Sequence, residues 1–173
     1  GLERNADIVH MATYAPLFAH VEGWQWRPDM IWFDNLNSVR TVSYYVQQLY
    51  GHHKGTNVLS LMMNKKAVTG AEDQNGLFAS AVYDKDKNEI IVKVANTSDK
   101  AQPLSLKFEG LKKQDILSGG RCIKLRSADP DKDNTIEQPS AIQPQETPVS
   151  MDGQVLNIEL EPKTFAVYIF EKG

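Results

Sequence analysis

The chain has 173 residues, 41% of them hydrophobic, and 19 Lys and Arg against 22 Asp and Glu give a net charge of −3. That is enough apolar material for one buried core, or for one domain and a piece of another. The scattered lysines and near-neutral charge lack the basic footprint of a nucleic-acid or anionic-membrane binder, and no apolar run approaches the ~18 residues of a membrane span. A single cysteine, Cys122, excludes an internal disulfide framework and a multi-cysteine metal site. Its apolar neighbours in GRCIKL mark it as a buried strand residue, not a nucleophile.

The chain opens with GLERNADIVHMATYAPLFAH, which has no initiator Met and none of the features of a secretory signal. It reads as a cut edge. Ile8, Val9, Met11, Ala12 and Ala15 fit helical and strand periods equally poorly, and Pro16 favours strand followed by loop. EGWQWRPDMIW then gathers three tryptophans in a partly polar stretch. Flat indole faces suit sugar rings, although a core wedge is the commoner use of such residues. DMIWFDN reads as a short buried strand ending in a loop. Val39, Val42, Tyr45, Val46 and Leu49 share one face of a helix expected over 39–50, with Ser38 as N-cap and Gly51 as stop.

Beyond residue 55 the period becomes two, with turns at intervals typical of an antiparallel sandwich. LFASAVY and EIIVKVAN flank DKDKN and are expected to form a hairpin. LSLKF and LNIEL alternate apolar and polar residues, as strands with one wet face do. TFAVYIF is apolar on both faces and reads as a central strand. The Pro-, Asp- and Gln-rich stretch over 127–153 is expected to be a long crossing between two sheets.

Candidate chemistry is sparse. Asp129, Asp131 and Asp133 begin like a calcium loop, but Asn134 and Ser140 stand where Gly and Glu are required, so a solvated acidic turn is expected. His52 and His53 are adjacent, so their side chains diverge and suit a helix end better than one metal ion. Asn96-Thr97-Ser98 is formally a glycosylation acceptor and equally an ordinary turn after a strand. No pair of carboxylates is singled out for glycosidic chemistry, which needs two acids about 5–9 Å apart. The residues by themselves therefore define no catalytic site, no metal site and no cofactor.

GLERNADIVHMATYAPLFAHVEGWQWRPDMIWFDN followed by SYYVQQLYGHHKG closely resembles the end of the catalytic barrel in α-L-arabinofuranosidases of glycoside hydrolase family 51. LFASAVYDKDKNEIIVKVANTS, LSLKFEGL and LEPKTFAVYIF are similar to that family's C-terminal β-sandwich. The resemblance implies a mainly β chain: a jelly-roll-like antiparallel sandwich over 55–173, preceded over 1–54 by the last strand and helix of a (β/α)8 barrel. The barrel's eighth strand would lie around Ile8 to Ala12.

Family members release terminal α-L-arabinofuranosyl groups with retention, using two glutamates on earlier barrel strands. The resemblance thus implies no catalytic residue in this chain. Tyr14, Pro16, Trp24 and Trp26 would lie near the substrate pocket, since barrel sites sit at the C-terminal ends of strands. Pro16 replaces a Gln found in some bacterial relatives, so no sugar contact is carried over to it. The implied partners are the rest of the barrel and an arabinose-containing oligo- or polysaccharide, with self-association through the open barrel edge. A periplasmic or extracellular parent would match a polymeric substrate. Two alternatives remain at this stage: a carbohydrate-binding module presenting Trp24, Trp26 and Tyr83, and a structural interaction domain.

Overall fold

The computed structural model describes residues 1–112, 117 and 119–173. Three short strands, β1 (Phe18–His20), β2 (Ile31–Phe33) and β3 (Ser38–Arg40), precede the helix α1 (Val42–His52). Then come β4 (Asn57–Leu59), β5 (Met62–Met63), β6 (Lys66–Ala67), β7 (Leu77–Asp84), β8 (Glu89–Asn96) and β9 (Gln102–Lys107). The last four are β10 (Gly119–Arg126), β11 (Gln145–Ser150), β12 (Val155–Leu160) and β13 (Thr164–Glu171).

The fold is mainly β, built around a six-stranded antiparallel sheet in the order β11-β10-β13-β8-β7-β4. The expected hairpin is present as β7 and β8, and TFAVYIF is a central strand between β8 and β10. Because side chains alternate along a strand, β8 sends Ile90, Val92 and Val94 to one face and Ile91 to the other. The first set packs with Ala166, Tyr168 and Phe170 of β13 against the β9–β12 ribbon, whose Leu156 and Leu160 are buried. This is the interior of a β-sandwich. Cys122 faces into it and is buried, as its apolar neighbours suggested.

The opposite face of the sheet is covered by α1, where Leu49 meets Val82, Ile91, Ile123, Val167 and Ile169. Burial on both faces explains why β8 and β13 read as continuous apolar runs. Each fully buried side chain of this kind contributes roughly 1.5–3 kcal/mol. The turn Glu3–Asn5 also rests on the sheet assembly, with the Arg4 guanidinium donating to the carbonyls of Val68 (2.9 Å) and Ala79 (3.3 Å).

Four expectations are corrected. Residues 8–12 form no strand; the first strand is Phe18–His20, which pairs in parallel with β2. A strand exists only where a neighbour completes its ladder, and no described strand lies beside 8–14. The helix begins at Val42, not at 39, because Ser38–Arg40 pair with β2 and bury Val39 beside Trp32. Thr41, extended and buried, is therefore the N-cap in place of Ser38, accepting from the Tyr44 N–H at 3.3 Å.

Gly51 lies within the last turn of α1 and does not stop it. The chain reverses instead through Gly55, at φ +66, where a β-carbon would lie 2.7 Å from the Val82 side chain. The stretch over 127–153 does lead from the six-stranded sheet to the β9–β12 ribbon, as expected, but not directly. It returns as β11, which pairs antiparallel with β10 in the same sheet.

Candidate functional site

The tryptophan segment is held by the small sheet β1-β2-β3. Trp32, in the middle of β2, packs with Ala19, Val39 and Ile136 and is buried. Trp24, in the loop between β1 and β2, stands edge-to-face on Trp32 with centroids 5.8 Å apart and remains 45% exposed. Arg27 caps the pair, its guanidinium carbon 5.0 Å from the Trp24 centroid and 5.3 Å from that of Trp32. Trp32 is thus a wedge in the core, as one reading of the cluster expects, and Trp24 keeps part of its surface open to solvent.

The other wall is the loop over 127–144, drawn toward the N-terminal segment by two side chains. Asp133 accepts from the Val42 N–H at 3.0 Å, so its carboxylate sits at the positive end of α1. Buried Asn134 donates to the carbonyls of Arg40 and Ile142, both at 2.9 Å, and accepts from the Ile142 N–H at 2.7 Å. Asp129 and Asp131 remain exposed, Asp129 closing its own turn by accepting from the Asp131 N–H. The acidic-turn reading describes these two. Asp133 is instead a helix cap supplied from 91 residues away, which no local spacing could reveal.

Two cavities flank Arg27 and Trp32. One of about 820 Å³ is bounded by Asp29, Val42, Val46 and Phe165; the other, of about 630 Å³, by Trp24, Asp34 and Glu137. The backbone N–H of Leu36, then the side chain and N–H of Asn37, hold the Asp34 carboxyl below the usual carboxylate range. Glu137 is likewise lowered, through its own N–H and Thr135. Asp34 and Asp133 thus spend acceptor capacity on backbone N–H groups instead of standing free for proton transfer. The assembled groups can stack on an apolar ring face and exchange hydrogen bonds with hydroxyls.

Of the residues expected near a substrate, only Trp24 lines these cavities. Trp26 is 56% exposed in the same loop but outside their walls, and Tyr14 reaches the Pro28 carbonyl at 3.5 Å. Sequence reasoning missed Arg27 and Asp29, although both lie inside the tryptophan-rich stretch that drew notice. His52 and His53 close the end of α1 as expected. Among the described residues, no three His, Cys, Asp or Glu side chains gather as metal ligands, and no helix is long and apolar enough to cross a membrane.

The chain is thus a β-sandwich joined through one helix to a tryptophan-bearing cleft. The family model "Alpha-L-arabinofuranosidase C-terminal domain" matches residues 1–163, and the chain belongs to that family. It is 29% identical over 171 residues to alpha-L-arabinofuranosidase 1 of Arabidopsis thaliana, covering 97% of this chain and 24% of the relative. Alpha-L-arabinofuranosidase A of Aspergillus niger is 30% identical over 171 residues, covering 96% and 24% respectively. The arabinose-bound MgGH51 α-L-arabinofuranosidase superposes with a TM-score of 0.85 at 26% identity, over 99% of this chain and 26% of that one. The chain spans about a quarter of the length of these relatives.

Proposed function

We propose that this chain is the non-catalytic C-terminal portion of a retaining α-L-arabinofuranosidase that releases terminal arabinofuranosyl groups from arabinose-containing polysaccharides. Residues 1–54 complete the catalytic barrel and residues 55–173 are the sandwich that braces it. The observation that carries this reading is the match to an arabinofuranosidase C-terminal domain along nearly the whole chain, in relatives about four times longer.

In the whole enzyme Tyr14, Trp24 and Trp26 stand at the rim of the substrate pocket. The segment around Ile8 to Ala12, which forms no strand in the isolated chain, becomes the eighth barrel strand once the rest of the barrel supplies a ladder. Its present exposure supports this: Ile8 is 72% and Met11 85% accessible, too much apolar surface for a finished face. The same surface makes the isolated chain self-associate, which gel filtration checks against a clean monomer.

The rim assignment is tested in the N-terminally extended enzyme. Trp24→Ala should raise KM for an arabinose polymer several-fold while leaving kcat for a small chromogenic arabinoside nearly unchanged. Unaltered KM for the polymer would remove Trp24 from the rim.

A further inference from the structure

We propose that Arg27 is a positioning residue for Trp24: its guanidinium fixes the indole at the rim and so sets affinity for a polymeric substrate without touching it. This role rests on Trp24 standing at the rim, as assigned above. Trp24 sits in the loop between β1 and β2, 45% exposed, and its ring partner among the described residues is Trp32, edge-to-face at 5.8 Å. Trp32 is buried and immobilised by Ala19, Val39 and Ile136. An edge contact alone leaves the exposed indole free to change rotamer about its outer bonds. Arg27, three residues on, closes the arrangement. Its guanidinium carbon lies 5.0 Å from the Trp24 centroid and 5.3 Å from that of Trp32, so one planar cation bridges the mobile ring to the anchored one.

The surroundings leave the guanidinium to this task. Among the described residues Arg121 and Arg126 pair with carboxylates and Arg27 does not. Two nearby acids are engaged elsewhere, Asp34 accepting from the Leu36 and Asn37 N–H groups and Asp133 from that of Val42. The charge of Arg27 is therefore placed on indole faces and not in an ion pair. A lysine would keep the charge but lacks the flat plate that can meet two rings at once. Arg27 also lines both cavities, so direct contact with substrate is the rival role, and the two roles differ in their arithmetic. A residue that binds substrate independently adds its loss to that of Trp24. A residue that acts through Trp24 has nothing left to hold once the indole is gone.

Two readouts test it. In the 173-residue chain the coupled indoles of Trp24 and Trp32 should give an exciton couplet in circular dichroism, which Trp24→Ala removes. Arg27→Met should lose most of that couplet and Arg27→Lys should keep part of it. In the N-terminally extended enzyme Arg27→Met should raise KM for an arabinose polymer about two- to fivefold, the worth of an exposed cation–π contact. The change should fall on KM and not on kcat, as loss of uniform binding does. The double variant Arg27→Met with Trp24→Ala should match Trp24→Ala alone. A couplet that survives Arg27→Met, a KM effect larger than that of Trp24→Ala, or losses that add in the double variant overturns the proposal. Unaltered KM in Trp24→Ala instead removes the rim assignment, and the couplet then decides separately whether Arg27 holds the indole.

Discussion

The ammonium of Lys93, wholly buried on the helix-facing side of β8, is paired with the carboxylate of Glu3 at the start of the chain. Glu3 also accepts from the Ser80 hydroxyl, and Lys93 donates to the His53 carbonyl at 2.6 Å and lies 4.9 Å from the Tyr50 ring centroid. Residues from the N-terminal turn, the end of α1 and two central strands thus meet at one charge pair. It joins the segment proposed as barrel to the sandwich. Burial lowers the Lys93 pKa, and the hydrogen bond and charge of Glu3 oppose that shift.

Removing one partner of such a pair strands the other charge. Glu3→Ala should cost about 3–5 kcal/mol in urea unfolding, whereas the double variant Glu3→Gln with Lys93→Met should recover most of it. Equal losses in both would show that the ion pair contributes nothing specific.

Acid should loosen the same region through His53. Burial lowers its pKa, with the Arg121 and Lys93 charges adding to the effect, and its buried Nδ1 has no partner. A histidine whose folded pKa lies below its unfolded value of 6.5 stabilises the fold above that pH. The contribution is lost as pH falls from 6.5 through the folded pKa. The urea midpoint should therefore drop between pH 7 and pH 5, and His53→Asn should flatten that part of the profile.

Asn96 is a structural amide and not a glycan acceptor. It is 1% exposed and donates to the carbonyls of Lys100 (2.8 Å), Leu160 (3.1 Å) and Glu161 (3.0 Å). Its oxygen accepts from the Ser98 N–H and hydroxyl and from Gln102. Asn96→Ala is expected to cost roughly 3 kcal/mol, since several buried groups lose their partners together. Expression in a glycosylating host should leave the intact mass free of a glycan at this residue.

Gly70 has φ +75, and a β-carbon there would lie 2.0 Å from the Phe78 ring. Gly70→Ala should destabilise by about 1–3 kcal/mol, from backbone strain and the clash. Pairing it with Phe78→Ala should relieve only the steric part.

The sandwich was legible because its strands carry their own period. LSLKF and LNIEL alternate, and each became a strand with its polar residues outward. The errors fell where partners decide. Ser38 looks like a cap, yet pairing of Val39 with Trp32 moved the N-cap to Thr41 and the helix start to Val42. Ile8 to Ala12 could become a strand only beside a neighbour that is absent among the described strands. Pro- and Asp-rich sequence after Arg126 signalled a long loop correctly, but nothing local in it indicates that β11 rejoins β10. Trp24 and Trp32 stood out by type, whereas Asp29 gains its interest only from the burial of both oxygens.

Hydrolysis of a chromogenic α-L-arabinofuranoside, by this chain and by the same chain extended N-terminally through a full barrel, tests the central claim most directly. Turnover is expected only in the extended protein, with the catalytic glutamates upstream of Gly1. Turnover by the 173-residue chain alone would contradict it and require a catalytic site among these residues.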